Sequence, residues 1–98
     1  MLKKQYTKDK KTCKVTFVLP DKVKAADVTL HGDFTKWDRA PLKMKHYKDG
    51  NFKVSVTLKP GKSYRFRYHL DSERWENDWE ADDYARNEFG TEDSIVQV

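Results

Sequence analysis

The 98-residue chain holds one cysteine, Cys13, so no disulfide can close within it, and no Cys/His spacing resembles a zinc site. It has no apolar run near the ~18 residues that a membrane helix requires. The opening Met1-Leu2-Lys3-Lys4-Gln5-Tyr6 lacks the apolar core of a signal peptide. These absences lead us to expect a cytoplasmic protein without a membrane partner. Glycine is scarce, with four in all, and no glycine-rich phosphate loop exists. His31, His46 and His69 lie far apart, with no Ser or Cys nucleophile motif nearby. Glu76, Asp78, Glu80, Asp82 and Asp83 supply carboxylates, but they fall in one polar stretch. That stretch reads as a solvated acidic loop rather than as the two facing acids of a glycosidase. Its spacing is not that of an EF-hand, which leaves calcium there as a lesser alternative. The expectation is a non-enzyme with no cofactor and no metal, in which Cys13 is a passive strand residue.

Aromatics, by contrast, are plentiful. Three Trp, five Tyr and five Phe can anchor the single small core that a chain of this length is able to close. The net charge of +4 hides a division. Residues 1–67 hold 18 Lys/Arg against 6 Asp/Glu, whereas residues 68–98 hold 2 against 10. Such a split can mark nucleic-acid binding. Here the basic residues are interleaved along strands rather than clustered on a helix, so the favoured reading is different. Strands from the two ends pair and neutralise each other, lysines protect the sheet edges, and no nucleic-acid partner is expected.

Period-two alternation recurs along the chain. Residues 14–19 place Val15, Phe17 and Leu19 on one face; residues 27–31 place Val28 and Leu30 inward; Leu42 and Met44 alternate in a short third strand. Asp49-Gly50 marks a hairpin before Phe52, Val54, Val56 and Leu58. Pro60-Gly61 suits the centre of a type II turn. Beyond it Tyr64, Phe66, Tyr68 and Leu70 point inward, with Arg65, Arg67 and His69 opposite. Residues 94–98 form a closing strand. Residues 1–11 read as a polar, basic tail or a short leading strand, 23–26 as either a helical turn or a loop, and 76–93 as an ordered acidic loop. The fold expected is an all-β sandwich of about seven short strands, a single domain over residues 12–98.

Trp37 stands among Lys36, Asp38 and Arg39, off any alternating strand, and reads as a displayed flat platform. Trp75 could serve the same purpose or cap the sandwich, while Trp79 reads as packing for the acidic loop. Phe34 is expected in the core, Asp33 as a turn residue bonding backbone N–H groups, and Gly32 and Gly90 as backbone necessities.

Several motifs occur in order: Val28-x-Leu30-x-Gly32-Asp33-Phe34-x-x-Trp37, Pro41-Leu42, Val54-x-Val56-x-Leu58-x-Pro60-Gly61, Tyr64-x-Phe66-x-Tyr68-x-Leu70-Asp71, Trp75-x-Asn77-Asp78 and Gly90-Thr91-x-x-Ser94-Ile95-Val96. Together they resemble the family 48 carbohydrate-binding module, the isoamylase N-terminal-like early-set domain. They are also similar to the glycogen-binding domain of the AMP-activated kinase β subunit. The resemblance covers about residues 14–98. It implies an immunoglobulin-like (early-set) sandwich that binds α-1,4-glucans such as glycogen and starch. It implies further that Trp37 and Trp75 stack on glucose rings, that Arg65 stands where the kinase subunit has a hydroxyl-bonding lysine, and that Phe89 replaces a protruding leucine. Thr91 matches a threonine on that surface, and Asp93 stands in place of an asparagine, keeping an acceptor and losing a donor. The turn Asp71-Ser72-Glu73-Arg74 is longer than the family's usual Asp-Gly.

Those residue types suit a glucan. A pyranose has apolar C–H faces that pack on indole and a belt of hydroxyls that need paired donors and acceptors. The expected partners are an α-glucan and an enzyme of glucan metabolism that the module brings to it. Two other readings remain open: a scaffold domain of the same fold that has lost sugar binding, and an accessory domain of a starch- or glycogen-metabolising enzyme.

Overall fold

A computed structural model describes residues 2–98; Met1 lies outside the described residues. Ten strands follow one another: β1 (Leu2–Tyr6), β2 (Cys13–Leu19), β3 (Val28–Gly32), β4 (Leu42–Lys43), β5 (Lys45–His46), β6 (Phe52–Leu58), β7 (Ser63–Leu70), β8 (Arg74–Glu76), β9 (Asp83–Arg86) and β10 (Glu92–Gln97). The described residues contain no α-helix, only the single 3₁₀ turns Asp21–Val23 and Asp33–Thr35. One sheet has the order β1-β2-β6-β5; the other has the order β4-β3-β7-β10-β9, with β8 also paired to β7. Every pairing is antiparallel. This is an immunoglobulin-like β-sandwich.

The alternation read from the sequence sets the inner faces. Val15, Phe17 and Leu19 of β2 and Phe52 and Leu58 of β6 meet Val28 and Leu30 of β3 and Phe66, Tyr68 and Leu70 of β7 in one buried cluster. Phe17 bridges the two sheets, edge-on to Phe66 with ring centroids 5.0 Å apart and tilted against Phe34 at 5.4 Å. Each fully buried side chain of this size contributes about 1.5–3 kcal/mol of burial. Tyr68 carries a polar tip into this core. Its hydroxyl donates to Asp78 Oδ2 at 2.7 Å, and burial pushes the phenol well above its ordinary range, so it stays protonated.

The structure departs from expectation in four places. There are ten strands rather than about seven: the leading strand forms as β1, β8 and β9 are added, and the strand around Met44 divides. Met44 is buried, and its N–H donates to Val28 O; here the chain leaves the second sheet as β4 and enters the first as β5. The acidic stretch is not all loop: β9 pairs with β10 as an edge strand, where both of its faces can be polar. The terminal strands do not pair with each other. Basic β1 lies on basic β2, and the two ends meet instead through the Lys4–Asp82 ion pair at 2.6 Å. Finally, Trp79 does not pack the loop. It is 47% exposed, with its indole N–H on Glu76 Oε1 at 3.2 Å.

The acidic segment is instead fastened by its polar groups. Asp78 is buried; its N–H donates to Ser94 Oγ, and its Oδ1 accepts the Glu80 N–H. The Tyr84 hydroxyl donates to the Asp78 carbonyl, and Asn77 Nδ2 donates to Glu92 O. The turn after β7 is built similarly. Asp71 and Ser72 both take left-handed φ (52° and 58°), and the Glu73 N–H closes on Leu70 O at 3.0 Å. Asp tolerates this region better than most residues, and Asp71 Oδ1 also accepts the N–H groups of Ala26 and Asp27. The longer turn is therefore anchored across the sheet and fixes where β8, and with it Trp75, begins.

Candidate functional site

Strand parity on β7 turns Arg65, Arg67 and His69 to the outer face of the second sheet, opposite the buried Phe66, Tyr68 and Leu70. His69 pairs across the ladder with Trp75 of β8. Their rings stack at 4.1 Å, 11° from parallel, and His31 of β3 meets the same indole edge-on at 4.9 Å. Trp75 is thereby backed by two imidazoles while remaining 40% exposed.

Trp37 reaches the same face by a strained route. After β3 the chain makes the 3₁₀ turn Asp33–Thr35, and Lys36 and Trp37 then both take left-handed φ (53° and 58°). Such a conformation is costly for a bulky residue and clusters at functional sites. Three contacts hold it. The Trp37 N–H donates to Gly32 O at 2.9 Å. The buried Thr35 hydroxyl accepts the Gly32 N–H and lies 3.0 Å from both the Gly32 and Trp37 carbonyl oxygens. Asp33 uses both carboxylate oxygens: Oδ1 accepts the indole N–H at 3.1 Å, and Oδ2 accepts the Arg65 N–H at 2.8 Å. Trp37 is consequently half-buried rather than fully displayed.

Between β9 and β10 the chain makes a compact loop organised by Asn87. Its Oδ1 accepts the N–H groups of Phe89 and Thr91; its Nδ2 donates to Thr91 Oγ1 at 2.9 Å and to Asp93 Oδ1 at 3.1 Å. Phe89 projects from this loop, 82% exposed. Asp93 is buried, and its second oxygen takes Arg65 Nη1 at 3.4 Å. The same Nη1 donates to Arg86 O at 3.3 Å.

These segments enclose a groove of about 850 Å³ lined by Trp37, Asp38, Arg65, Arg67, Trp75, Arg86, Asn87, Glu88, Phe89, Thr91 and Asp93. All six residues singled out from the sequence (Trp37, Arg65, Trp75, Phe89, Thr91 and Asp93) border it. Its volume lies within the usual range of small-molecule sites. It combines aromatic surface with donors and acceptors. Sequence reasoning passed over Arg67, His69, His31 and Asn87 as contributors. The parity that exposed Arg65 applies equally to Arg67 and His69, and Asn three residues before Gly90 is a recognisable turn signal. Among the described residues no group of three or more His, Cys, Asp or Glu side chains is placed to hold a metal ion.

His31 makes the site's backing sensitive to pH. Burial is the main cause holding its pKa below the ordinary 6.5; the Asp38 carboxylate, 3.1 Å from Nδ1, partly opposes this. The neutral ring donates from Nδ1 to Asp38 and accepts the Thr29 hydroxyl at Nε2, 2.8 Å away. Because the folded pKa is depressed, the unfolded chain binds the proton first on acidification. The stability that His31 contributes is complete above pH 6.5 and is lost as the pH falls through its lower folded value. Thermal melts between pH 7.5 and 5 should show a decline that is smaller in His31→Gln; equal slopes in the two proteins would count against this assignment.

A search of curated proteins finds none that matches the chain. The sequence profile of carbohydrate-binding module 48, the isoamylase N-terminal domain, matches residues 11–85, which span β2 to β8 and most of β9. The matched segment carries Trp37, Arg65 and Trp75, and with the sandwich around them the chain belongs to the carbohydrate-binding module 48 family.

Proposed function

We propose that this chain is a non-catalytic binding module for α-1,4-glucans of the glycogen or starch type. In this reading Trp37 and Trp75 stack on glucose rings, and Arg65, Phe89, Thr91 and Asp93 contact the same chain of sugars. The module comprises residues 12–98, with residues 1–11 as a leading segment. The observation that carries the proposal is that these six residues, drawn from separate segments of the fold, border one groove on one face of one sheet. An indole offers a flat, rigid surface to the pyranose C–H face at little entropic cost. A groove resting on two such surfaces fits a modest affinity, Kd ~10⁻³–10⁻⁵ M, or ~4–7 kcal/mol. The free, buried Cys13 fits a reducing, cytoplasmic setting.

A second reading keeps the fold without the sugar. Both oxygens of Asp93 and the hydroxyl of Thr91 are already bonded within the protein, which favours a protein-interaction or scaffold domain. Affinity electrophoresis through glycogen or amylose gels separates the two. Retardation reversed by β-cyclodextrin is expected, with no release of reducing sugar from the polymer. Unretarded protein at millimolar ligand would sink the glucan reading, and released sugar would overturn the non-catalytic one. A glucan-metabolising enzyme belongs to the first reading as a second partner.

A further inference from the structure

We propose that Arg67 is a specificity-determining residue of this groove, reading the paired O2 and O3 hydroxyls of the glucosyl unit that lies on Trp75. The proposal rests on the glucan-binding reading and adds to it a residue and an edge of the sugar.

The two arginines on the outer face of β7 differ in what their guanidinium groups already do. Arg65 is anchored by Asp93 and by the Arg86 carbonyl. Arg67 borders the same groove with its guanidinium carbon 5.6 Å from the centre of the Trp75 ring. Among the described residues it has no carboxylate at ion-pair distance and no hydrogen-bond acceptor, and its buried Nε is unpaired. An unpaired buried donor costs stability, so folding alone does not account for arginine at this position; with Nε buried, the two Nη groups are the donors left to meet a ligand in the groove. A guanidinium carries five N–H donors in a fixed planar fork and no acceptor. Its fitting partner therefore presents two neighbouring acceptors in one plane.

The sugar supplies them. When the C–H face of an α-1,4-linked glucosyl unit covers an indole, its hydroxyls point outward around the ring edge. O2 and O3 are adjacent and both equatorial, spaced for the two arms of a fork. Arg67 is beside the indole that takes the face, so the face and the edge of one sugar ring are read together. A guanidinium held against an aromatic ring is also restrained before ligand arrives, which lowers the entropy lost on binding.

The test uses the whole chain and two probes in isothermal titration calorimetry: β-cyclodextrin, and the same ring methylated at every O2 and O3. Wild-type protein should bind the methylated ring about 10-fold more weakly: the ether oxygens keep their lone pairs, but the methyl groups bar the fork of Arg67 from reaching O2 and O3 together. Arg67→Met keeps the apolar stem without the fork. It should bind β-cyclodextrin about 10-fold more weakly than wild type and should lose clearly less than wild type on methylation. Arg67→Lys keeps the charge beside Trp75 without the paired donors, and should show the same reduced methylation penalty. The melting temperature of Arg67→Met should match or exceed that of wild type, since an unpaired buried donor has been removed. Wild-type affinity in Arg67→Met, or a methylation penalty as large in the variants as in wild type, overturns the proposal while leaving the glucan reading standing. Absence of binding by wild type to either ring overturns both.

Discussion

Trp37→Ala and Trp75→Ala should each weaken binding to glycogen, amylose or β-cyclodextrin by about 10- to 100-fold, the largest loss expected from any single change in the groove. Removing an indole face from a sugar forfeits roughly 1.5–3 kcal/mol of apolar contact, and each 1.4 kcal/mol is a factor of ten. The two variants should differ in side effects. Trp75 covers His69 and meets His31, so its loss also exposes those imidazoles. Trp37 returns one hydrogen bond, the one to Asp33, and leaves the turn backbone in its left-handed form. Trp75→Phe should retain part of the affinity, because a smaller ring can still stack on His69. Affinity unchanged in both alanine variants, with melting temperatures near wild type, would remove the tryptophans from the site.

Gly32→Ala should cost about 2–3 kcal/mol of stability, as overpacking does in a well-packed site. That corresponds to a melting temperature lower by roughly 10–20 °C for a domain of this size. The backbone of Gly32 is ordinary extended strand (φ −175°), so the obstacle is space and not conformation. A Cβ built there meets Arg65 O at 2.6 Å and two atoms of the Phe34 ring at 3.0 Å. Phe34 could turn away, but Arg65 O belongs to the β7 backbone, one residue from the Gly32–Phe66 pair. Relief therefore loosens the ladder. Gly61→Ala and Gly90→Ala are the informative comparisons. Both sit at φ 81° with nothing within 4 Å of the added carbon, so they suffer backbone strain alone, about 1 kcal/mol. Urea denaturation that ranks Gly32→Ala no worse than these two would refute the close-approach argument. Because Gly32 O also receives the Trp37 N–H, the damage at Gly32 should reach sugar binding as well.

How much of this was legible beforehand depended on the kind of signal each element carries. The strands that cross the core, β2, β3, β6 and β7, alternate because one face is buried, and their limits fall within a residue or so of those expected. The edge strands β1 and β9 have no such constraint. Leu2 aside, β1 is all exposed, and the Asp83–Arg86 run has no buried side chain, so nothing in either pattern distinguishes strand from loop. At Met44 a single buried residue sits between two short strands in different sheets, and alternation cannot reveal a change of partner. In the site, parity alone placed Arg65 outside the core, and the charged surroundings of Trp37 marked it as unusual. The left-handed turn that half-buries Trp37, the stacking of His69 on Trp75 and the role of Asn87 rest on contacts only two to six residues apart, but they are set by turn geometry that the residue pattern does not display. Trp79 was misread for a related reason: its neighbours in sequence are polar, but the segment is fastened by Asp78, which leaves no packing duty for the indole.

The bifurcated grip of Asp33 has a practical corollary. One carboxylate accepts a hydrogen bond from the Trp37 indole and another from the main chain at the centre of the sheet. In an NMR titration the Trp37 indole resonance and the Arg65 amide resonance should therefore shift in concert at a single midpoint, even though one belongs to the groove and the other to the scaffold. Paired shifts of that kind would make the molecule its own two-colour gauge of occupancy.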